Sequence, residues 1–288
     1  MKKIHVGFLL SYDYEKIKLS LPPVYEAADA IFIAEDKEHR TWSGKKFEVS
    51  PSFYEWVKEF DTEGKIQFYK DDFYIPELSA IDNDTRERQM LSEKMGIGNW
   101  LVQVDADEYF VDFSSFVKDL RKYDRFLDNP AKNPVQIAGF LINMYKYTED
   151  GLLYSPVPSR VLVATNYPCY TCARQTRKRI IYTDHLLMHE CVSRTEEDLR
   201  VKFENWGHNT DFDIEEYMTK WKSVTKDNYK EMRNFFYLEP ESWKTLEYID
   251  SKDMEEIKLK LNATPGLHRS SWFIFRKNFG QYFKHLFR

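Results

Sequence analysis

Three carboxylates stand together in Trp100-Leu-Val-Gln-Val-Asp105-Ala-Asp107-Glu108-Tyr-Phe110, directly after an apolar run patterned like a buried strand. Strand interiors exclude charge, so acids placed straight after one belong on the rim where a sheet meets solvent or a ligand. An Asp-x-Asp pair offers two short, stiff oxygen donors close together, the donor type a hard divalent cation such as Mg²⁺ or Mn²⁺ takes. The plainer alternative is a solvated acidic turn, or a helix start in which Asp105 caps Glu108. Two later clusters carry further chemistry: His189-Glu190-Cys191 after a short apolar run, and Gly207-His208 followed by Asp211. Cys169-x-x-Cys172 taken with His189-x-Cys191 also makes a rival structural zinc site of three thiols and an imidazole, using every cysteine of the chain.

The elements that must position these groups alternate through the first hundred residues. Ile4 to Leu10 reads as a buried strand, and Tyr14 to Ala28 as an amphipathic stretch interrupted by Pro22-Pro23. Ala30 to Ala34 is a second strand ending in Glu35-Asp36. A polar loop with Arg40, Trp42 and Gly44 follows, then Ser50-Pro51 opens a helix carrying Phe53, Trp56, Val57 and Phe60. Lys65 to Tyr69 is a third strand. Asp84 with Glu87 has capping-box spacing and opens a helix to Met95 that Gly96 stops, and Asn99 to Val104 returns as a strand. This order predicts an α/β, Rossmann-type domain with a mostly parallel central sheet. In such a sheet the strand ends and helix N-termini share one edge, so Glu35, Asp36, Arg86, Arg88, Asp105 and Asp107 are expected on one rim, with Arg86 and Arg88 pointing to different sides of their helix.

Beyond Phe113 the alternation fades. A helical pattern to about Leu127 ends at Asp128-Asn-Pro130, and Val135 to Tyr147 and Leu152 to Thr165 read as longer strands, antiparallel around the turn signal Thr148-Glu-Asp150-Gly151. Ile180 to Tyr182 is a short strand beside the basic cluster Arg174, Arg177, Lys178 and Arg179. Asp211 to Tyr237 and Ser242 to Leu261 read as helical. The expected organisation is one domain over 1–215, in two halves (1–112 and 113–215), and a helical C-terminal extension over 216–288.

A chain of 288 residues, 42% hydrophobic and 31% charged, can bury a full core. Its 42 basic and 47 acidic residues give a net charge of −5, which offers no global attraction to nucleic acid. No apolar run approaches the ~20 residues that span a bilayer. The Met1-Lys-Lys start lacks the apolar length and cleavage site of a signal peptide, so a cytoplasmic protein is expected. The tail from Leu267 to Arg288 stands apart: five basic residues, no acid and a run of aromatics suit peripheral contact with the inner face of a membrane.

The strand followed by Asp105-Ala-Asp107-Glu108, with Arg40-Thr-Trp42-Ser-Gly44 and Thr85-Arg86-Glu87-Arg88 before it and Asn205-Trp206-Gly207-His208 after it, resembles the family 2-like glycosyltransferases of the GT-A fold over roughly residues 1–215. The resemblance implies a nucleotide-diphosphate-sugar donor, an acceptor hydroxyl on a glycan or lipid-linked sugar, and Mn²⁺ or Mg²⁺ bridging the diphosphate to the acidic motif. It implies donor contacts from Glu35, Asp36, Arg40, Trp42, Arg86, Arg88 and Asp105, and metal contacts from Asp105, Asp107 and His208 or His189. An inverting transfer needs a carboxylate base, for which Glu190 comes first and Asp211 second. Many inverting relatives carry Glu-Asp in this region, whereas this chain has His189-Glu190-Cys191. Two other readings use the same residues. A sugar nucleotidyltransferase shares the acidic site but needs a glycine-rich loop near the first strand, and only Gly7 precedes Gly44 here; a glycan-binding module would keep the acidic motif without catalysis.

Overall fold

Seven consecutive residues with no exposed position, Ile4–Leu10, make the first strand (β1) and place it in the interior of a sheet. Its neighbours are β2 (Ala30–Asp36) on one side and β4 (Trp100–Val104) on the other, both parallel to it, with β3 (Ile66–Asp71) parallel beyond β2. The computed structural model describes residues 2–205 and 212–283. Two four-residue helices, α1 (Ile17–Ser20) and α2 (Pro22–Tyr25), then α3 (Pro51–Phe60) and α4 (Ala80–Met95), lie between these strands. Ser50 caps α3 through its side chain with Pro51 in the first turn, as the sequence pattern requires. α4 starts earlier than expected: Ser79, not Asp84, accepts the capping bond, from the Asp82 amide at 3.2 Å. Asp84 and Glu87 are interior helix residues turned into the protein, both buried. Gly7 is the point at which α4 closes on the sheet, since a Cβ there would come within 2.8 Å of Met95 Sδ and 2.9 Å of Leu91 Cδ2.

After β4 the chain stops crossing over, so the sheet is mixed rather than mostly parallel. β5 (Glu108–Phe110), α5 (Phe113–Arg121), β6 (Val135–Tyr147), β7 (Leu152–Tyr154), β8 (Ser159–Thr165) and β9 (Arg179–His189) follow. Short connections return the strand beside itself, which forces antiparallel pairing. β6 meets both β7 and β8 in that sense, and the expected turn closes with the Thr148 amide donating to the Gly151 carbonyl at 2.8 Å. β8 then joins β4 antiparallel and unites the halves. β9 runs over eleven residues rather than three, parallel to β6 and antiparallel to β5.

The C-terminal region is not purely helical. α6 (Glu196–Asn205), α7 (Ile214–Ser223), α8 (Met254–Asn262) and α9 (Ser271–Phe283) surround the sheet, but between α7 and α8 the chain contributes β10 (Glu247–Ile249), antiparallel to β7. Among the described residues no helix is long and apolar enough to cross a membrane.

Candidate functional site

The acidic motif is the turn between two strands of different character. β4 ends at Val104 in the centre of the sheet; Asp105 to Asp107 turns; and β5 starts at Glu108, opposite His189 in the antiparallel ladder with β9. The Glu108 amide donates to the Asp105 carbonyl at 2.9 Å, and the Glu190 amide to the Asp107 carbonyl, also at 2.9 Å. The β5–β9 pairing therefore brings His189 and Glu190 to the acids from about eighty residues away in sequence.

A pocket of about 300 Å³ opens over this turn. Ser11, Tyr12 and Asp13 enter from the end of β1, Thr41 and Trp42 from the loop after β2, Asp105 to Glu108 from the turn, and Arg174, His189, Arg194, Lys202 and Asn205 from the later elements. Its volume is at the lower end of small-ligand sites.

The carboxylates in it are matched by cations. Asp107 Oδ2 accepts from Arg194 and, at 3.1 Å, from Lys202, while His189 Nε2 stands 3.6 Å away. Burial works to raise the Asp107 carboxyl, but Lys202, His189 and Arg194 outweigh it and hold the group well below the usual carboxylate range. Asp105 Oδ1 lies 2.9 Å from Arg88, and Arg174 is 3.7 Å from Oδ2; these two guanidiniums overcome burial and lower its pKa as well. Arg174 also binds both carboxylate oxygens of Glu108, so Glu108 holds the turn. Asp13 pairs with Arg194 at 3.0 Å. Four lining carboxylates (Asp13, Asp105, Asp107, Glu108) thus face Arg174, Arg194 and Lys202 in the pocket and Arg88 behind it, and the protein charges nearly cancel.

Two oxygens are less committed: Asp105 Oδ2, whose paired cation Arg174 stands 3.7 Å away while Oδ1 is held by Arg88, and Asp107 Oδ1, since both hydrogen bonds to Asp107 fall on Oδ2. Among the described residues no three His, Cys, Asp or Glu side chains are grouped to hold a metal. Mg²⁺ sites commonly take only one or two carboxylates from the protein, with phosphate oxygens and water supplying the rest of the octahedron. The Asp105 and Asp107 donor pair fits such an ion. It does not suit zinc, whose structural sites need four closed protein ligands. The thiols are not assembled for one either: Cys172 is exposed, Cys169 is half-buried, and Cys191 is buried with Sγ 3.6 Å from the Tyr237 hydroxyl.

Several expected donor contacts are committed elsewhere. Glu35 is fully buried and accepts from Tyr54 at 2.7 Å and Lys70 at 2.8 Å, with the His39 ring 2.8 Å from the same oxygen. Asp36 takes Arg40 Nε at 3.0 Å and the Phe73 amide at 3.1 Å. Arg86 donates to the Asp72 and Phe73 carbonyls at 2.7 and 2.8 Å. None of Glu35, Asp36, Arg40 or Arg86 lines the pocket; together they fix the loops after β2 and β3. Arg88 turns the other way, to Asp84 at 2.6 Å and to Asp105, with its guanidinium 5.8 Å from the Trp42 ring. Trp42 lines the pocket while its indole N–H donates to Glu87 at 2.6 Å. Glu190 is buried, paired with Lys16, and lies beneath the turn rather than in the pocket wall. His208 and Asp211 lie outside the described residues.

Arg194, Lys202 and Asp13 are pocket residues that sequence reasoning did not single out. Arg194 is five residues past His189 and Lys202 sits on α6, so only the return of that helix over the turn reveals them. Arg174 was visible as part of a basic cluster but carried no sign of its partner Glu108.

No protein-family model and no curated protein matches the chain. Among solved structures it shows distant similarity to S. aureus TarS 1-349, with 13% identity and a TM-score of 0.30, covering 48% of this chain and 35% of that one. It is likewise similar to mannose-6-phosphate isomerase from Helicobacter pylori, with 12% identity and a TM-score of 0.32, covering 71% of this chain and 66% of that one. The chain thus spans about a third of the length of the first. Both likenesses are distant, and the functional argument rests on the site.

Proposed function

We propose that the chain is a glycosyltransferase that takes a sugar from a nucleotide-diphosphate donor and passes it to a glycan or lipid-linked hydroxyl, with Mn²⁺ or Mg²⁺ as cofactor. One observation carries this reading: two carboxylates of the β4–β5 turn face a pocket whose own charges are nearly balanced. A sugar diphosphate brings at least two negative charges into that pocket, where the described residues offer no surplus cation to answer them. Asp105 and Asp107 would hold a divalent ion there, which would supply the missing positive charge and Lewis-acid stabilisation of a leaving diphosphate.

The remaining roles belong to the chain's own side chains. Arg194 and Lys202 keep Asp107 ionised, and Arg88 and Arg174 do the same for Asp105, so both acids stand ready as oxygen donors. Trp42 forms one wall, its ring positioned by the bond to Glu87, and gives an apolar face for a base or sugar to pack against. Transfer also needs an acceptor of the hydroxyl proton. Glu190 is the carboxylate beside His189, and Asp13 lines the pocket and shares the Arg194 guanidinium with Asp107.

The test is release of nucleoside diphosphate from a panel of sugar nucleotides, with and without Mn²⁺. Metal-dependent release from one donor, lost in Asp107→Asn, supports the reading; no release from any donor removes it. Comparing Glu190→Gln with Asp13→Asn then assigns the base, because the variant lacking it loses transfer while retaining donor binding.

A further inference from the structure

Helix α9 is held to the sheet largely by polar side chains and turns most of its aromatic ones away from it. Asn278 accepts from the Tyr182 amide at 2.7 Å and donates to the Tyr182 carbonyl at 3.0 Å, and Gln281 accepts from the Ile180 amide at 3.1 Å. These bonds satisfy backbone groups of β9 and fix the rotation of the helix. Phe273 and Ile274 pack onto the adjoining core. At 100° per residue, Trp272, Phe275, Phe279, Tyr282 and Phe283 then fall within an arc of about 100°, with Tyr282 at its edge 4.0 Å from the Arg179 guanidinium of β9 and the others turned away from the docked side. The five are 69%, 58%, 53%, 59% and 40% exposed. Trp272, Phe275, Phe279 and Phe283 form a continuous ladder with successive ring separations of 5.8, 5.9 and 5.0 Å.

A stripe of five exposed aromatics on one helix is too much apolar surface to leave in water without a partner. Charge decides which partner. The two cations of the helix, Arg276 beside the stripe and Lys277 on the docked flank over the Phe273 ring at 5.5 Å, are both exposed, and no acid occurs anywhere from Leu267 to Arg288, although the chain as a whole is acidic. A second copy docked symmetrically through the same stripe would set Arg276 against its own equivalent. A surface rich in lipid phosphates answers it instead, and Trp and Tyr rings are suited to the headgroup layer. The helix has 13 residues, about 20 Å of rise, so it can lie along a bilayer but not cross it.

We propose that α9 seats the protein on an anionic membrane surface, with the Trp272 to Phe283 ladder in the headgroup layer and Arg276 beside it against lipid phosphates. This holds whatever reaction the pocket catalyses.

The experiment is co-sedimentation of the full chain with vesicles of phosphatidylcholine alone or mixed with phosphatidylserine, at low and at physiological salt, alongside sedimentation velocity of the protein without lipid. Expected is partition onto the mixed vesicles only, weakened by salt. Arg276→Gln should weaken it about fivefold, and Trp272→Ser with Phe275→Ser and Phe279→Ser should reduce it to background. The charge variant alters only an exposed side chain, so it remains informative if the aromatic variant does not fold. Equal partition onto both vesicle types, no partition, or partition unchanged in the charge variant overturns the proposal. So does a dimer that Phe279→Ser dissociates in a protein that ignores vesicles, which would give the stripe to a second copy.

Discussion

Replacing Arg194 by Met tests whether the ionic network around Asp107 is as integral as its geometry implies. Arg194 and Asp107 side chains are 1% and 9% exposed, and the guanidinium serves Asp107, Asp13 and the Glu190 carbonyl together. Removing one partner of a buried pair costs about 3–5 kcal/mol when the remaining charge is stranded. Here Lys202 still holds Asp107 Oδ2 at 3.1 Å, and Asp13 is exposed enough to turn to water, so about 2–4 kcal/mol is expected at pH 7. The pH dependence has a definite sign. Asp107 is depressed in the fold, so its contribution is present above the unfolded carboxylate value and is lost as pH falls through the folded one. Arg194→Met moves the folded value back toward the unfolded one, so the variant and the parent must converge in stability as the solution becomes more acidic than about pH 4. Urea unfolding at pH 7 and at successively lower pH reads both quantities. Pairing the variant with Asp107→Asn should recover at least about 1 kcal/mol by coupling. A loss below about 1 kcal/mol at pH 7, or a difference that stays constant into acid, would refute the reasoning.

Other consequences follow from neighbouring residues. Burial pushes the Glu87 carboxyl up to about 8 despite the Trp42 hydrogen bond, so the fold holds its proton where the unfolded chain releases it. Stability must therefore fall as pH rises from the ordinary carboxylate value through 8, by up to about 1.4 kcal/mol per pH unit. Glu87→Gln, which keeps an acceptor for Trp42, should flatten that decline in thermal melts, and parallel profiles would contradict it. Gly7→Ala should cost about 1–3 kcal/mol in urea unfolding because the methyl group meets Met95 and Leu91, and a neutral effect would show that α4 has slack to move.

Much of the N-terminal frame was legible because its signals are local. β1, β2 and β4 are buried apolar runs of strand length, and Ser50-Pro51 is a cap that acts within one turn. The late sheet was harder. β9 carries Thr183, Asp184 and His185 in mid-strand, a polar break that reads as a loop; in the structure the Thr183 hydroxyl donates to the Ala138 carbonyl and His185 lies 3.0 Å from Asp119. The site divides along the same line. The positions of Asp105, Asp107 and Trp42 at one pocket follow from strand ends and the loop beside them. Glu35 and Asp36 have identical credentials, yet cations and amides of their own loops consume them, and strand position alone does not distinguish an acid that faces a ligand from one that ties down a loop. Arg194 and Lys202 reach Asp107 from 87 and 95 residues away. Nothing in local spacing announces such pairs, because they are fixed by where α6 and the segment before it return over the sheet.

The central claim, a diphosphate joined to Asp105 and Asp107 through a divalent ion, is tested most directly by calorimetric titration of nucleoside diphosphates into the protein with Mn²⁺ present and absent. The account predicts binding that requires Mn²⁺, selects one base, and weakens by at least about tenfold in Asp107→Asn. Binding of equal strength without the ion, or with Asn at position 107, would contradict it.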